Sequence, residues 1–299
     1  MNEIWGIDLG GTKIEGIILS KANNETICRL RLPTEGDLGY DHVVGQVKKL
    51  IDSMKQESGI TPTVIGMGTP GTLDPILGIM KNCNSTSLNG KNLKADLENA
   101  TGILFHMSND ANCFAVAEAN MGIIPDRMPD AKVVFGVIMG TGVGGGLVVD
   151  GKVLGGRQGI GGEWGHNFLD ESGGKCYCGK VGCVETIIAG PALERYYREI
   201  SGISLKLKDI ASAYRDGSDP MATQTMERLF HFFGKAISVV INIIDPDAVV
   251  IGGGVGNIDE LYDKGVEEVK KFVFNHRLDT QFFKPKLGDS AGVFGAAFL

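Results

Sequence analysis

Apolar residues run almost unbroken through "EIWGIDL" and "IEGIILS", and only "GGTK" separates the two runs. That pattern predicts a strand ending at Leu9, a glycine turn, and a second strand over residues 14–19. "VVFGVIMGTGVGGGLVVDGK" repeats the shape, with a strand ending at Met139, a turn, and a strand over residues 146–149. Two such units about 130 residues apart point to an internal duplication. Between them the apolar spacing predicts helices over 40–57 and 92–101 and a strand over 63–68. "SNDANCFAVAEAN" predicts a helix capped by Ser108 or Asn109, with Phe114 and Ala117 turned inward. Further helices are predicted over 190–201, 205–216, 219–244 and near 258–276, with a buried strand in "AVVIGGG". The closing "GDSAGVFGAAFL" reads as a helix packed through small residues. Strands alternating with helices predict an α/β architecture.

Composition narrows the class. A chain of 299 residues is long enough for two domains whose cores need no disulfides. Its 44 glycines cluster in short runs at 10–11, 144–146, 155–156, 161–162 and 252–254, which suits tight turns and close backbone approach to a ligand. A formal charge of −7 without a basic run argues against nucleic acid as a partner. No signal-like opening and no apolar stretch of about 18 residues is present, so no membrane partner is expected. The six cysteines do not form an evenly spread disulfide framework, and a reducing cytoplasm is the expected setting.

"DLGGTK" at 8–13 lacks P-loop spacing and leads into a strand rather than a helix. Its backbone N–H groups and the Thr12 hydroxyl can still cradle phosphate oxygens, and Asp8 suits Mg²⁺ or its water shell. "GTGVGGG" and "IGGG" offer two more loops of this kind. Each alone reads more readily as a simple turn; together they point to a nucleotide cleft. The residues they present are Asp8, Gly10, Gly11, Thr12, Lys13, Thr141, Gly142, Gly253 and Gly254. Asp110 reads either as a first-turn carboxylate favoured by the helix dipole or as a general base for a hydroxyl, and the two roles are compatible. His166, Cys176, Cys178 and Cys183 have the stoichiometry of a closed structural Zn²⁺ site, the alternative being buried free thiols beside an unrelated histidine.

Taken in order, "GIDLGGTK", "GMGTPG", "NDAN", "MGTGVGGG", "GEWGH", "CYCGKVGCVE", "DPDAVVIGGG" and "GDSAGVFGAA" resemble the motifs of the ROK sugar kinases, which belong with hexokinase to the actin-like ATPases. The resemblance covers essentially the whole chain. It implies a two-domain actin-like (ribonuclease H-like) α/β fold: a small domain over 1–112, joined by a C-terminal helix over 287–299, and a large domain over 113–286. It also implies ATP and Mg²⁺ as cosubstrate and cofactor, a hexose as substrate, and a homodimer. Asp110 would be the catalytic base, with Gly71, Asn109, Glu163, His166 and Glu185 around the sugar. The zinc cluster would order the sugar-binding segment through His166.

"KNCNSTSLNG", "GEWGHN" and "CYCGKVGCVET" are most similar to the bacterial fructokinases, also called manno(fructo)kinases. That likeness implies phosphorylation of D-fructose to fructose 6-phosphate, with Asn84, Ser85 and Thr86 contributing to hexose choice. The alternatives are N-acetylglucosamine, N-acetylmannosamine, mannose, glucose or allose. The family also includes sugar-responsive transcriptional regulators, which carry a helix-turn-helix module before the kinase-like body. The first glycine turn here begins at residue 10, leaving no room for one. Cys83, where relatives often carry alanine, reads as a small packed thiol.

Overall fold

The first three strands, β1 (Glu3–Leu9), β2 (Lys13–Ser20) and β3 (Thr26–Pro33), form an antiparallel meander in which Asp8 pairs with Glu15 and Glu15 with Arg31. The computed structural model describes residues 2–299. After the meander come α1 (Tyr40–Ser58), β4 (Val64–Thr69), a small hairpin of β5 (Thr72–Leu73) and β6 (Met80–Lys81), α2 (Leu93–Thr101), β7 (Leu104–Asn109), α3 (Asp110–Asn120) and α4 (Ile123–Arg127). β1, β4 and β7 are parallel, and the five-stranded sheet has the order β3-β2-β1-β4-β7.

The chain continues through β8 (Val133–Met139), β9 (Val143–Val149) and β10 (Lys152–Val153) to α5 (Glu185–Ile188), α6 (Gly190–Ser201), α7 (Leu207–Asp216) and α8 (Pro220–Ile244). Then follow β11 (Ala248–Gly252), α9 (Gly253–Gly256), α10 (Lys264–Phe272), β12 (Gln281–Phe283) and α11 (Ala291–Ala297). The second sheet also has five strands, in the order β10-β9-β8-β11-β12, with β11 parallel to both β8 and β12. Each sheet thus combines an antiparallel hairpin with parallel strands carrying helices, the two-domain actin-like α/β fold.

Two units divide the chain. The first holds the residues up to Asp130 together with 146–162 and 286–299; the second holds 131–145 and 163–285. The division falls later than residue 112 because α3 packs on α11. A Cβ on Gly295 would land on the Cys113 carbonyl, so only glycine allows that approach. Small residues do the same on the sheet: a Cβ at Gly6 would lie 2.5 Å from the Ala297 nitrogen. On the other face, α1 buries Val43, Val47, Leu50, Ile51 and Met54, a spacing that follows the helical period, in a core shared with Ile7 and Ile14.

The expected elements recur with local differences. Asn109 caps α3, its side chain accepting the Asn112 N–H at 2.9 Å, and Phe114 and Ala117 are buried. The single helix expected near 258–276 is a 3₁₀ turn (Asp259–Leu261) followed by α10, which Asp263 caps. β3 and β12 were not legible from the pattern: β3 has only Cys28 buried, and β12 is three residues long. No described helix is long and apolar enough to cross a membrane.

Candidate active site

In the first unit, strand register gathers the acidic residues. Asp8 on β1 pairs with Gly68 on β4, and Gly68 with Ser108 on β7, so the chain leaves β7 at Asn109 and Asp110 close to Asp8. Gly68 and Gly292 leave room for the Asp8 carboxylate; added Cβ atoms there would lie 3.2 and 2.8 Å from its oxygens. Burial raises the Asp8 pKa to about 6, and the charges of Asp110 and Glu15 push the same way against Lys13. Asp110 has an edge open to solvent, yet protein crowding its carboxyl raises its pKa as well. The Ala111 N–H, donated to it at 2.8 Å, opposes that rise. The arrangement leaves Asp110 a better proton acceptor than an ordinary surface carboxylate.

The glycine turn is closed by the Gly10 N–H donating to the Lys13 carbonyl at 2.9 Å. Gly11 faces Ser85, whose Oγ would lie 3.6 Å from a Cβ at Gly11. Asn84 donates its N–H to the Pro70 carbonyl at 3.1 Å, and Thr69 donates its hydroxyl to the carbonyls of Gly71 and Ser108 at 2.8 and 3.1 Å. These contacts set Gly11 against Ser85, Asn84 against Pro70, and Gly71 through Thr69 against Ser108, the residue before Asn109. A cavity of about 590 Å³ is lined by Gly11, Thr12, Glu35, Asp37, Asn84 and Ser85. Cys83 is buried against Gly71, a small packed thiol.

In the second unit, Trp164 fixes the segment carrying Glu163 and His166. Its indole N–H donates to the Gly144 carbonyl at 3.0 Å, and its ring meets Phe135 edge-on at 5.9 Å. Val184 donates its N–H to Asn167 at 3.0 Å and Leu169 donates to Gly182 at 2.7 Å, which ties that segment to the one carrying Glu185. Glu185 in turn accepts the Val143 N–H at 3.0 Å. The Cys/His cluster sits at the end of this tie. Its four ligand atoms lie within 4.8 Å of one another, with His166 Nδ1 3.6 Å from Cys176 Sγ and Cys178 Sγ 3.6 Å from Cys183 Sγ. A tetrahedral zinc with bonds of about 2.1–2.3 Å places its ligands roughly 3.5–3.8 Å apart, so the donor set fits a closed structural ion. His166 Nε2 faces away from the thiols, 3.0 Å from the Tyr177 hydroxyl, a residue the sequence reading did not single out.

A second cavity, about 650 Å³, lies in this unit between the glycine loops, its lining including Gly140, Thr141, Leu207, Ala211, Gly254 and Ile258. Gly254 lines it and Gly253 does not. Gly253 instead has φ +82° against the Met139 backbone, a conformation only glycine holds without strain. The helix residues Leu207 and Ala211 carry no motif, so only packing reveals their place.

The whole chain outside its first three residues matches one family model, that of the ROK family, over residues 4–299. The chain belongs to the ROK family. An N-acetyl-D-glucosamine kinase of Vibrio cholerae is 35% identical over 306 residues, covering 99% of this chain and 98% of that protein. Among solved structures, the ROK hexokinase of Thermus thermophilus superposes with a TM-score of 0.87 at 29% identity, covering 99% of this chain and 97% of that one. A ROK glucokinase of Streptomyces griseus, solved with glucose and AMPPNP, gives a TM-score of 0.74 at 25% identity, covering 99% and 98%. The ROK likeness read from the motifs thus holds, whereas these curated relatives are N-acetylglucosamine kinases rather than fructokinases.

Proposed function

We propose that this chain is an ATP-dependent sugar kinase whose acceptor is N-acetylglucosamine. The observation that carries this reading is the 35% identity, over nearly the full length of both chains, to kinases of that sugar. Within each unit the candidate residues suit the chemistry. Asp110 takes the proton of the attacking sugar hydroxyl, a role generally worth about 10²–10⁴-fold in rate. The glycine loops around Thr12, Thr141 and Gly254 each offer backbone N–H groups suited to phosphate oxygens, and Asp8 offers an oxygen suited to Mg²⁺ or its waters. Mg²⁺, when bound to ATP, offsets charge developing on the transferred phosphoryl group. Glu163, His166 and Glu185 hold sugar hydroxyls, and zinc in the Cys/His cluster fixes the segment that carries them.

Fructose is the second reading. It rests on the fructokinase-like stretch 81–90 and on the place of Asn84 and Ser85 beside Gly11 and Thr12. The test is ADP release with ATP–Mg²⁺ across N-acetylglucosamine, N-acetylmannosamine, fructose, mannose, glucose and allose. The highest kcat/KM with N-acetylglucosamine supports the proposal; the highest with fructose transfers it to the second reading. Absence of turnover with every sugar rejects the kinase assignment.

A further inference from the structure

Tyr262 and Thr34 lie outside every glycine motif, yet each ties one glycine loop by its hydroxyl. The Tyr262 O–H shares its proton between the carbonyl oxygens of Ile251, at 3.0 Å, and Gly256, at 2.9 Å. Those two carbonyls bracket the segment that carries Gly253 and Gly254. The segment folds back sharply, since a Cβ at Gly256 would lie 2.7 Å from the Ile251 oxygen. Thr34 does the same for the first turn. It is 3% exposed, donates its N–H to the Thr12 carbonyl at 3.0 Å, and donates its hydroxyl to the Gly10 carbonyl at 2.7 Å. Gln46 on α1 holds the neighbouring backbone, donating to the Pro33 carbonyl at 2.9 Å and to Glu35 at 3.0 Å.

A loop built from glycine has little side-chain packing of its own and loses much backbone freedom when ordered. Its shape therefore has to be imposed by groups elsewhere in the chain. Ligand loops held in their bound shape before the ligand arrives bind more tightly, because the ordering cost is already met. We propose that Tyr262 and Thr34 are positioning residues that hold the two loops in their nucleotide-binding shape, and so set affinity for ATP rather than for the sugar. This rests on the kinase reading above. Neither side chain touches the nucleotide; each acts through the carbonyls it holds.

The test uses Tyr262→Phe and Thr34→Val, which keep side-chain shape and remove the O–H, with Thr34→Ser as the conservative variant. ATP is titrated into each protein without sugar, and KM is measured for ATP and for the sugar separately. The ATP Kd and KM are expected to rise about three- to tenfold, the worth of one hydrogen bond. The sugar KM stays unchanged, and Thr34→Ser recovers wild-type ATP affinity. Folding is checked by circular dichroism and melting. Amide exchange on the nucleotide-free wild type is a second measurement that needs no variant. It is expected to show the amides of Gly10, Thr34 and Ile258, which donate to the loop carbonyls of Lys13, Thr12 and Val255, already protected, while the N–H groups left for phosphate exchange freely. Variants with wild-type ATP affinity, a parallel rise in both KM values, or unprotected loops overturn the inference while leaving the kinase assignment standing. A wild type that binds no ATP overturns both.

Discussion

Glu185 Oε2 accepts the Val143 N–H at 3.0 Å, and the same oxygen would lie 2.6 Å from a Cβ placed on Gly142. One carboxylate thus joins the segment carrying Glu185 to a glycine loop inside a single unit, and a side chain on the loop residue would displace it. Gly142→Ala is expected to push the Glu185 carboxylate aside. Steady-state kinetics should then show the sugar KM rising by about tenfold, with melting nearly unchanged. An unaltered KM would separate Glu185 from sugar binding.

Asp110 and Asn109 are adjacent but should fail differently. Asp110→Asn is expected to lower kcat by about 10²–10⁴-fold in a protein that melts normally. Asn109→Ala removes the cap that accepts the Asn112 N–H, so denaturant melts should also show a loss of about 1 kcal/mol.

Asp8 predicts an inverted pH dependence of stability. Its pKa rises from 3.8 to about 6, with burial the largest cause. A carboxyl that keeps its proton to higher pH in the native state stabilises that state at acid pH. This contribution is complete below about 4 and is lost as the pH rises through about 6. In Mg²⁺-free buffer, Asp8→Asn should match wild type near pH 4 and exceed it near pH 8 by on the order of 2 kcal/mol. Urea melts at both pH values decide it, and a gap independent of pH would show that Asp8 is not the group responsible.

The Cys/His cluster predicts about one zinc per chain by elemental analysis of the purified protein. A strong chelator should remove it and lower Tm by several degrees, and Cys176→Ser should do the same without chelator. A metal-free wild type with the same Tm would mark the cluster as packed thiols only.

Glu118 is fully buried on α3 and accepts the backbone N–H groups of Ile123 at 2.9 Å, Lys286 at 3.0 Å and Leu287 at 2.8 Å. Glu118→Ala strands these donors, at about 1–3 kcal/mol for each one left unpaired. Denaturant unfolding should show a loss on the order of 3–5 kcal/mol, with Glu118→Gln intermediate. A loss below about 1 kcal/mol would mean that water replaces the carboxylate.

The strand–glycine–strand units, the capped helix at Asn109 and the Cys/His spacing were legible in the sequence because each is local. Apolar period, cap chemistry and ligand spacing act within a few residues, and those signals also carried the ROK likeness. Choice of hexose was less legible. The stretch "NSTSLNG" pointed to fructose, while the curated relatives act on N-acetylglucosamine, since a few hydroxyl contacts separate one sugar from another.

What the sequence alone determined is the long helices, the buried strands and the chemistry each loop can offer. Tertiary structure decided which of those groups meet. Asp8 and Asp110 are about a hundred positions apart and become neighbours only through the parallel register of β1, β4 and β7. Thr34 and Tyr262 stand outside every motif, and nothing in "SNDANCFAVAEAN" singles out Glu118, because the work of all three is to satisfy backbone groups of other segments. Which distant backbone group lacks a partner is settled only when the chain has packed.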